Sequence, residues 1–342
     1  MTSARSLART LLNLAVLPLG LIGHAVTGRT ATWAHDALIQ LFCATGGRTN
    51  DWVSRLLALR SRRLGFPGEP GLLGSTSGPE LDAKVAELRD RGYVVFPAAL
   101  PSGACERLMN FALQTPAQVR RMDDEPVRPE PRVALFDPAS PLAVRYDYAP
   151  DKLLANSDVQ ALLADPSLLA LAQAYLDCRP KADVLSMWWH TSFHSQPDSE
   201  AAQYYHFDMD RIKWLKIFVY LTNVGPADGP HSFIEGSHRT GGIPQSMLRR
   251  GYVRLSDEEV LGHYGDERQI EFSAPRGTVI VEDTRGLHKG KAVTGASRLV
   301  LQLQFSNSLF GARYAKAKMS GVHHPALQRQ LVESPDVYAN YL

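Results

Sequence analysis

The stretch QYYHFDMDRIKWLKIFVYLTNVGPADGPHSFIEGSH, residues 203–238, decides the fold. His206 and Asp208 are one residue apart, so in an extended chain both side chains point to one face. The run Leu215–Thr222 then alternates, with Ile217, Val219 and Leu221 on one side and Lys216, Phe218, Tyr220 and Thr222 on the other. The aliphatic side suits the layer between a sheet and outer helices. The mixed polar side suits a barrel lumen that holds a small anion. A second stretch, PRGTVIVEDTRGLHKG at 275–290, adds His288 after an apolar run that reads as a strand. Two imidazoles and a carboxylate, with the other coordination positions open, form the facial triad of non-heme Fe(II) oxygenases. Asp210 competes with Asp208, but it lies four residues from His206, about 13 Å along a strand, too far for one ion to hold both. Asp283 reads as a turn residue or a partner of the ligands. Arg298 shares one strand face with Val300, Gln302 and Gln304, where its fork of donors suits a carboxylate.

Taken in order, H-F-D, D-G-P-H-S-F-I-E-G-S-H, G-L-H-K-G and the arginine on the next strand resemble the phytanoyl-CoA dioxygenase family over residues 79–312. The opening "helix, R-G-Y-V-V-F-P, helix" resembles that family's start as well. The resemblance implies an α+β fold: a double-stranded β-helix (jelly-roll, cupin-like) core with flanking helices, here with an extra N-terminal helical segment. It also implies Fe(II) held by His206, Asp208 and His288, with 2-oxoglutarate as cosubstrate and O2 as oxidant. Arg298 would hold the far carboxylate of 2-oxoglutarate. Lys216 would either meet the carboxylate nearest the metal or extend toward water. The implied reaction is hydroxylation or desaturation of a small molecule, lipid-like or acyl in character. Related halogenases lack the carboxylate ligand, so Asp208 argues against halogenation. Two alternatives stand beside this reading: a non-catalytic β-helix binding protein, and a cupin-type metal protein independent of 2-oxoglutarate. Neither needs Arg298.

The chain has 342 residues, 44% hydrophobic and 21% charged, enough for a large core. A net charge of +2 gives no case for nucleic acid. Cys43, Cys105 and Cys178 are widely spaced and form no C-x-x-C, which suits a reduced, cytoplasmic setting. Nothing in the sequence sets the oligomeric state.

Residues 1–64 read as a helical extension, 65–78 as a Gly/Pro/Ser-rich linker and 79–342 as the oxygenase domain. The apolar run 11–26 follows Arg5 and Arg9 and resembles the start of a signal peptide, without a clean cleavage site. Pro18 and Gly20 are expected to interrupt it. Two readings of the extension stand: helices packed on the catalytic domain, or a basic amphipathic patch in peripheral contact with a membrane. Residues 114–150 read as a lid or a surface connection. Residues 156–176 read as one helix, and Asp336–Leu342 as a terminal helix. His231 and His238 bracket a turn, and His190 and His194 read as core or lumen histidines. Arg211, Lys213, Arg239, Arg249 and Arg250 are candidates to meet an anionic group, or are solvated charges.

Overall fold

The computed structural model describes residues 2–66, 68, 70–120, 132–193, 197–198 and 201–342. His194 and the middle of the expected lid fall outside the described residues.

Eleven strands are found among the described residues: β1 Tyr93–Phe96, β2 Ala117–Val119, β3 Val133–Ala134, β4 Arg145–Asp147, β5 Lys181–His190, β6 Trp214–Tyr220, β7 His231–Ile234, β8 Gln269–Glu271, β9 Val279–Glu282, β10 His288–Gly290 and β11 Arg298–Ser306. They form an eight-stranded sheet in the order β1-β9-β6-β11-β5-β4-β2-β3 and a three-stranded sheet in the order β10-β7-β8. All of the pairings are antiparallel. Together the two sheets make the double-stranded β-helix.

The alternation along β6 and β11 sorts the two faces of the large sheet. Leu215, Ile217 and Val219, with Leu299, Leu301, Leu303 and Phe305, join one hydrophobic layer with Leu108, Leu162 and Leu169. These three come from helices α5 (Ser102–Gln114), α7 (Ser157–Leu163) and α8 (Pro166–Leu176), which cover the outside of the sheet. Burying each such side chain contributes about 1.5–3 kcal/mol. Phe218, Tyr220, Ile280 and Val300 pack on the opposite face with Trp188 and Phe233, inside the barrel.

The single helix expected over 156–176 is two. Asp165 ends the first and caps the second, its carboxylate accepting from the Ser167 and Leu168 N–H groups, and Pro166 starts the new helix. Near the C-terminus the helix is α11 (Pro325–Glu333), and only a short 3₁₀ turn, Pro335–Tyr338, forms where a terminal helix was expected. Helix α10 (Asp257–Tyr264) begins after Ser256, the first residue of an S-x-x-E pattern with Glu259 that signals a helix start, and the Glu259 N–H donates to Ser256 Oγ at 3.2 Å.

Three helices are found before residue 65, α1 (Thr2–Thr27), α2 (Thr32–Thr45) and α3 (Arg48–Ala58), and a fourth, α4 (Pro79–Arg91), leads into β1. α1 runs through Pro18 unbroken, contrary to the expected interruption. Gly20 is where α1 meets α2: a Cβ there would stand 2.4 Å from Ala34 Cβ, so the missing side chain sets the helix approach. α2 buries Leu38, Leu41 and Phe42 against Tyr205, Phe207 and Met209, the residues that alternate with His206 and Asp208. Phe42 stacks on Phe207 with centroids 5.4 Å apart. The extension is thus the outer wall of the His206–Asp208 segment. Among the described residues of 65–78 there is no helix or strand, only the isolated Gly71–Gly74 bridge, and the stretch is tied to α8 by Leu72 N–H to Asp165 Oδ2 (2.8 Å) and Leu73 N–H to Ser167 Oγ (2.8 Å).

Candidate active site

The H-x-D segment is not a regular strand. Isolated bridges hold it instead, Tyr205 to Leu255 and His206 to His288, together with Asp208 N–H donating to Thr284 O at 2.8 Å. Alternation survives without a ladder because one wall is apolar and the other is the lumen. His206, Asp208 and His288 each present one ligand atom, and the three atoms lie within 4.8 Å of one another. Asp208 Oδ1 is 3.8 Å from His206 Nε2, and Oδ2 is 3.4 Å from His288 Nε2. All three residues are buried.

Both rings are oriented by the backbone. His206 Nδ1 lies 2.9 Å from Tyr204 O, and His288 Nδ1 lies 3.0 Å from Gly286 O. A carbonyl oxygen only accepts, so each Nδ1 carries a proton and each Nε2 faces the centre. This arrangement fixes the tautomer of a metal-binding imidazole. Burial, helped by His288, pushes His206 well below the ordinary imidazole range. Burial also opposes charge on Asp208, but Lys216 and His288 outweigh it and hold the carboxyl well below its usual value. The site therefore offers a neutral imidazole and an ionised carboxylate, the donor set of a first-row divalent metal.

Lys216 faces the lumen, its Nζ 2.5 Å from Asp208 Oδ2 and 3.3 Å from Asp210 Oδ2. Asp210, two residues beyond Asp208, is within reach of the same ammonium, and it lies outside the cluster of ligand atoms, as its separation from His206 leads one to expect. Next to Lys216 in register is Glu282, fully buried, its carboxyl raised to about 8 by burial. Glu282 Oε2 is hydrogen-bonded to His231 Nε2 at 2.9 Å. Sequence reasoning missed this pair, because Glu282 ends the apolar run VIVE and carries no spacing signal of its own.

Arg298 lies farther along the lumen, opposite His190 on β5. Its guanidinium donates to Gly229 O, its Nη2 is 2.8 Å from His190 Nδ1, and it is buried to 2% exposure. Gly290 makes the room: a Cβ there would stand 3.3 Å from Arg298 Nη2. Arg298 Nε, Trp188 Nε1 and His190 Nε2 are all buried without a hydrogen-bond partner. The three residues share one face of the sheet, and unpaired buried donors there cost free energy unless a ligand takes them, for which a carboxylate is suited. The residues present thus fit both the metal and a dicarboxylate cosubstrate.

Four of the five cations expected to meet an anionic group are paired within the protein. Arg211 is buried in a two-pronged pair with Asp183 (2.5 Å), and Lys213 Nζ donates to Tyr175 O at 3.1 Å. Arg239 and Arg250 pair with Asp90 (3.2 Å) and Glu259 (2.5 Å) on the surface. Another cation stands beside the His206–Asp208–His288 cluster. The Tyr205–Leu255 bridge sets Arg254 across from His206 on the same face, and Arg254 Nη1 is buried without a partner. His238, as expected of a turn residue, is hydrogen-bonded to Arg89 O through Nε2 at 3.1 Å.

A double-stranded β-helix with a buried His-x-Asp…His cluster in its lumen defines a class, the non-heme iron oxygenases. The chain belongs to the phytanoyl-CoA dioxygenase family, whose model matches residues 88–300. It is similar to the ectoine dioxygenase of Sphingopyxis alaskensis, 25% identical over 228 residues that span 62% of this chain and 71% of that protein. Among solved structures it is similar to HygX from Streptomyces hygroscopicus with nickel and 2-oxoglutarate bound (17% identity, TM-score 0.48, 71% of this chain and 94% of that one). It is also similar to the epimerase SnoN in complex with Fe3+, alpha-ketoglutarate and nogalamycin RO (18% identity, TM-score 0.44, 66% of this chain and 83% of that one). The protein is a non-heme Fe(II)- and 2-oxoglutarate-dependent dioxygenase that uses O2. Family membership sets aside the non-catalytic and 2-oxoglutarate-independent alternatives.

Proposed function

We propose that His206, Asp208 and His288 hold Fe(II), that Arg298 holds the far carboxylate of 2-oxoglutarate, and that the enzyme hydroxylates an acyl-type or otherwise lipid-like small molecule bearing an anionic group. One observation carries this reading: a cluster of three ligand atoms and a buried, partly unpaired guanidinium share one lumen. When bound, the cofactor set supplies the oxidant, with 2-oxoglutarate leaving as succinate and carbon dioxide while one oxygen atom enters a substrate C–H bond.

The protein positions and screens that chemistry. Tyr204 O and Gly286 O keep the two Nε2 atoms aimed inward. The ammonium of Lys216 remains beside Asp210 at the metal end, where it can meet the near carboxylate of 2-oxoglutarate. Phe218, Ile280 and Val300 line the lumen between the two ends and exclude water. Arg254, across from His206, is the cation we assign to the acidic group of the substrate.

The test is anaerobic titration of the protein with Fe(II) and 2-oxoglutarate, watching for the visible charge-transfer band of the chelate. Succinate release is then screened against apolar acids, acyl thioesters and neutral analogues. No band with the native protein, or an unchanged band in His288→Ala, would reject the metal assignment. Turnover confined to neutral compounds would reject the anionic group and Arg254's role.

A further inference from the structure

α1 has two unlike faces. Its inner stripe is packed: Leu17 is buried, Gly20 lies on Ala34, Asn13 donates to Gln40 at 2.9 Å, and His24 meets Phe310 edge-on with centroids 5.6 Å apart. The opposite stripe is bare and apolar. Leu7, Leu11, Leu14, Ile22 and Val26 recur at helical spacing and are 45–80% exposed. Seven of the eighteen large hydrophobics exposed among the described residues lie on α1, so the exposure is concentrated rather than scattered. Trp33, at the start of α2, adds a half-exposed indole beside Gly20.

The charge follows the same helices. Residues 1–64 hold eight arginines against Asp36 and Asp51, a net +6 within a chain whose total is +2, so the remainder is net negative. Arg9 and Arg249 flank a groove of about 930 Å³ that begins at Leu7 and runs between α1, α2 and the short helix Gln245–Leu248. Neither arginine has an acidic partner among the described residues. The groove meets the apolar stripe at Leu7, and an apolar stripe on a net-basic set of helices is complementary to a bilayer surface carrying anionic headgroups.

We propose that the outer face of α1 docks the enzyme on an anionic lipid bilayer, with the helix lying in the plane of the interface. The segment Leu7–Thr27 is also long and apolar enough to cross a bilayer, with mean hydropathy 1.6. Crossing would strip away the Asn13–Gln40 bond and the packing at Gly20, whereas lying flat keeps both. The surface is separate from the lumen, so the proposal stands or falls apart from the metal assignment.

The full-length protein is floated with vesicles of phosphatidylcholine alone, or of phosphatidylcholine with phosphatidylglycerol, at low and high salt. Expected results are flotation with the anionic vesicles only, release by high salt, and complete extraction by alkaline carbonate. The double variant Leu11→Glu/Ile22→Glu changes only exposed positions. It should lose vesicle binding about tenfold or more while its melting temperature and Fe(II)–2-oxoglutarate band stay unchanged. Arg9→Glu/Arg249→Glu should weaken binding and flatten its salt dependence. Equal flotation of parent and Leu11→Glu/Ile22→Glu overturns the proposal, as does equal binding to neutral vesicles. Resistance to carbonate would show a spanning helix instead. A dimer of the parent in solution, broken by the same variant, would show that the face joins two copies of this chain.

Discussion

Arg285 reaches from the turn before His288 to Asp51 on α3, with Nη1 and Oδ1 2.8 Å apart. The same guanidinium forks onto Asp283, whose Oδ2 also accepts from Tyr175 Oη at 2.5 Å. Asp283 was read as a turn residue or a partner of the metal ligands. It is a turn residue, its carbonyl accepting from Gly286 N–H at 3.1 Å, and it is the hub linking α8, the N-terminal helices and the backbone that presents His288.

Asp51→Asn keeps the shape and removes the charge. Arg285 stays paired with Asp283, so the loss is that of one charge-assisted bond, about 1.5–3 kcal/mol. Thermal unfolding should show a lower melting temperature, and Fe(II) affinity should fall because the turn bearing Gly286 and His288 loosens. An unchanged melting temperature would mean that the pair is not coupled to the fold.

Acid should unfold the protein partly through Asp283. Burial opposes its charge, but Arg285 outweighs burial and brings the carboxyl down to about 2 from 3.8. A depressed carboxyl contributes stability that is fully present above its unfolded value. Here that is about 2 kcal/mol, lost as the pH falls from near 4 through about 2. Denaturant titrations across this window should show the fall in the parent and its absence in Asp283→Asn, which is less stable at neutral pH.

Removing Arg298 should separate cosubstrate from metal. Loss of a charge-assisted pair in a buried pocket costs on the order of 2–5 kcal/mol, so Arg298→Ala should raise the KM for 2-oxoglutarate about 30-fold or more. Arg298→Lys should also raise it, because an ammonium cannot reproduce the planar fork. Fe(II) binding, followed by metal-dependent quenching of tryptophan fluorescence, should change little. A normal 2-oxoglutarate KM in Arg298→Ala would remove the assignment.

Phe42 packs on the outer wall of the His206–Asp208 segment. Phe42→Ala deletes the stack on Phe207 and leaves a cavity, a cost of about 3–5 kcal/mol. The variant should lose stability and bind Fe(II) more weakly, since the chain on the far side of Phe207 carries His206 and Asp208. A stable variant with unaltered metal affinity would show that the wall does not position the ligands.

Much of the site is written in the sequence, and the reason is local. Period-two alternation in Leu215–Tyr220 and Arg298–Phe305 assigns each residue to core or lumen without knowledge of what the strand pairs with, and the sheet layers follow it. The spacing in H-F-D places two side chains on one face whether or not a ladder forms. The sequence also carried the capping box at Ser256, because a helix N-terminus is satisfied by residues three apart. Tertiary structure decided whatever depends on long-range partners. The ion pairs of Lys216 with Asp208 and Asp210 form because β6 is brought against the His206–Asp208 segment. Glu282 meets His231 and Arg254 stands across from His206 only because distant segments pair. Arg211 and Lys213 look like free cations in the sequence, and the fold buries one on Asp183 and turns the other onto Tyr175. α1 continues through Pro18 because packing at Leu17 and Gly20 outweighs one lost backbone bond, a balance that exists only once α2 is in place.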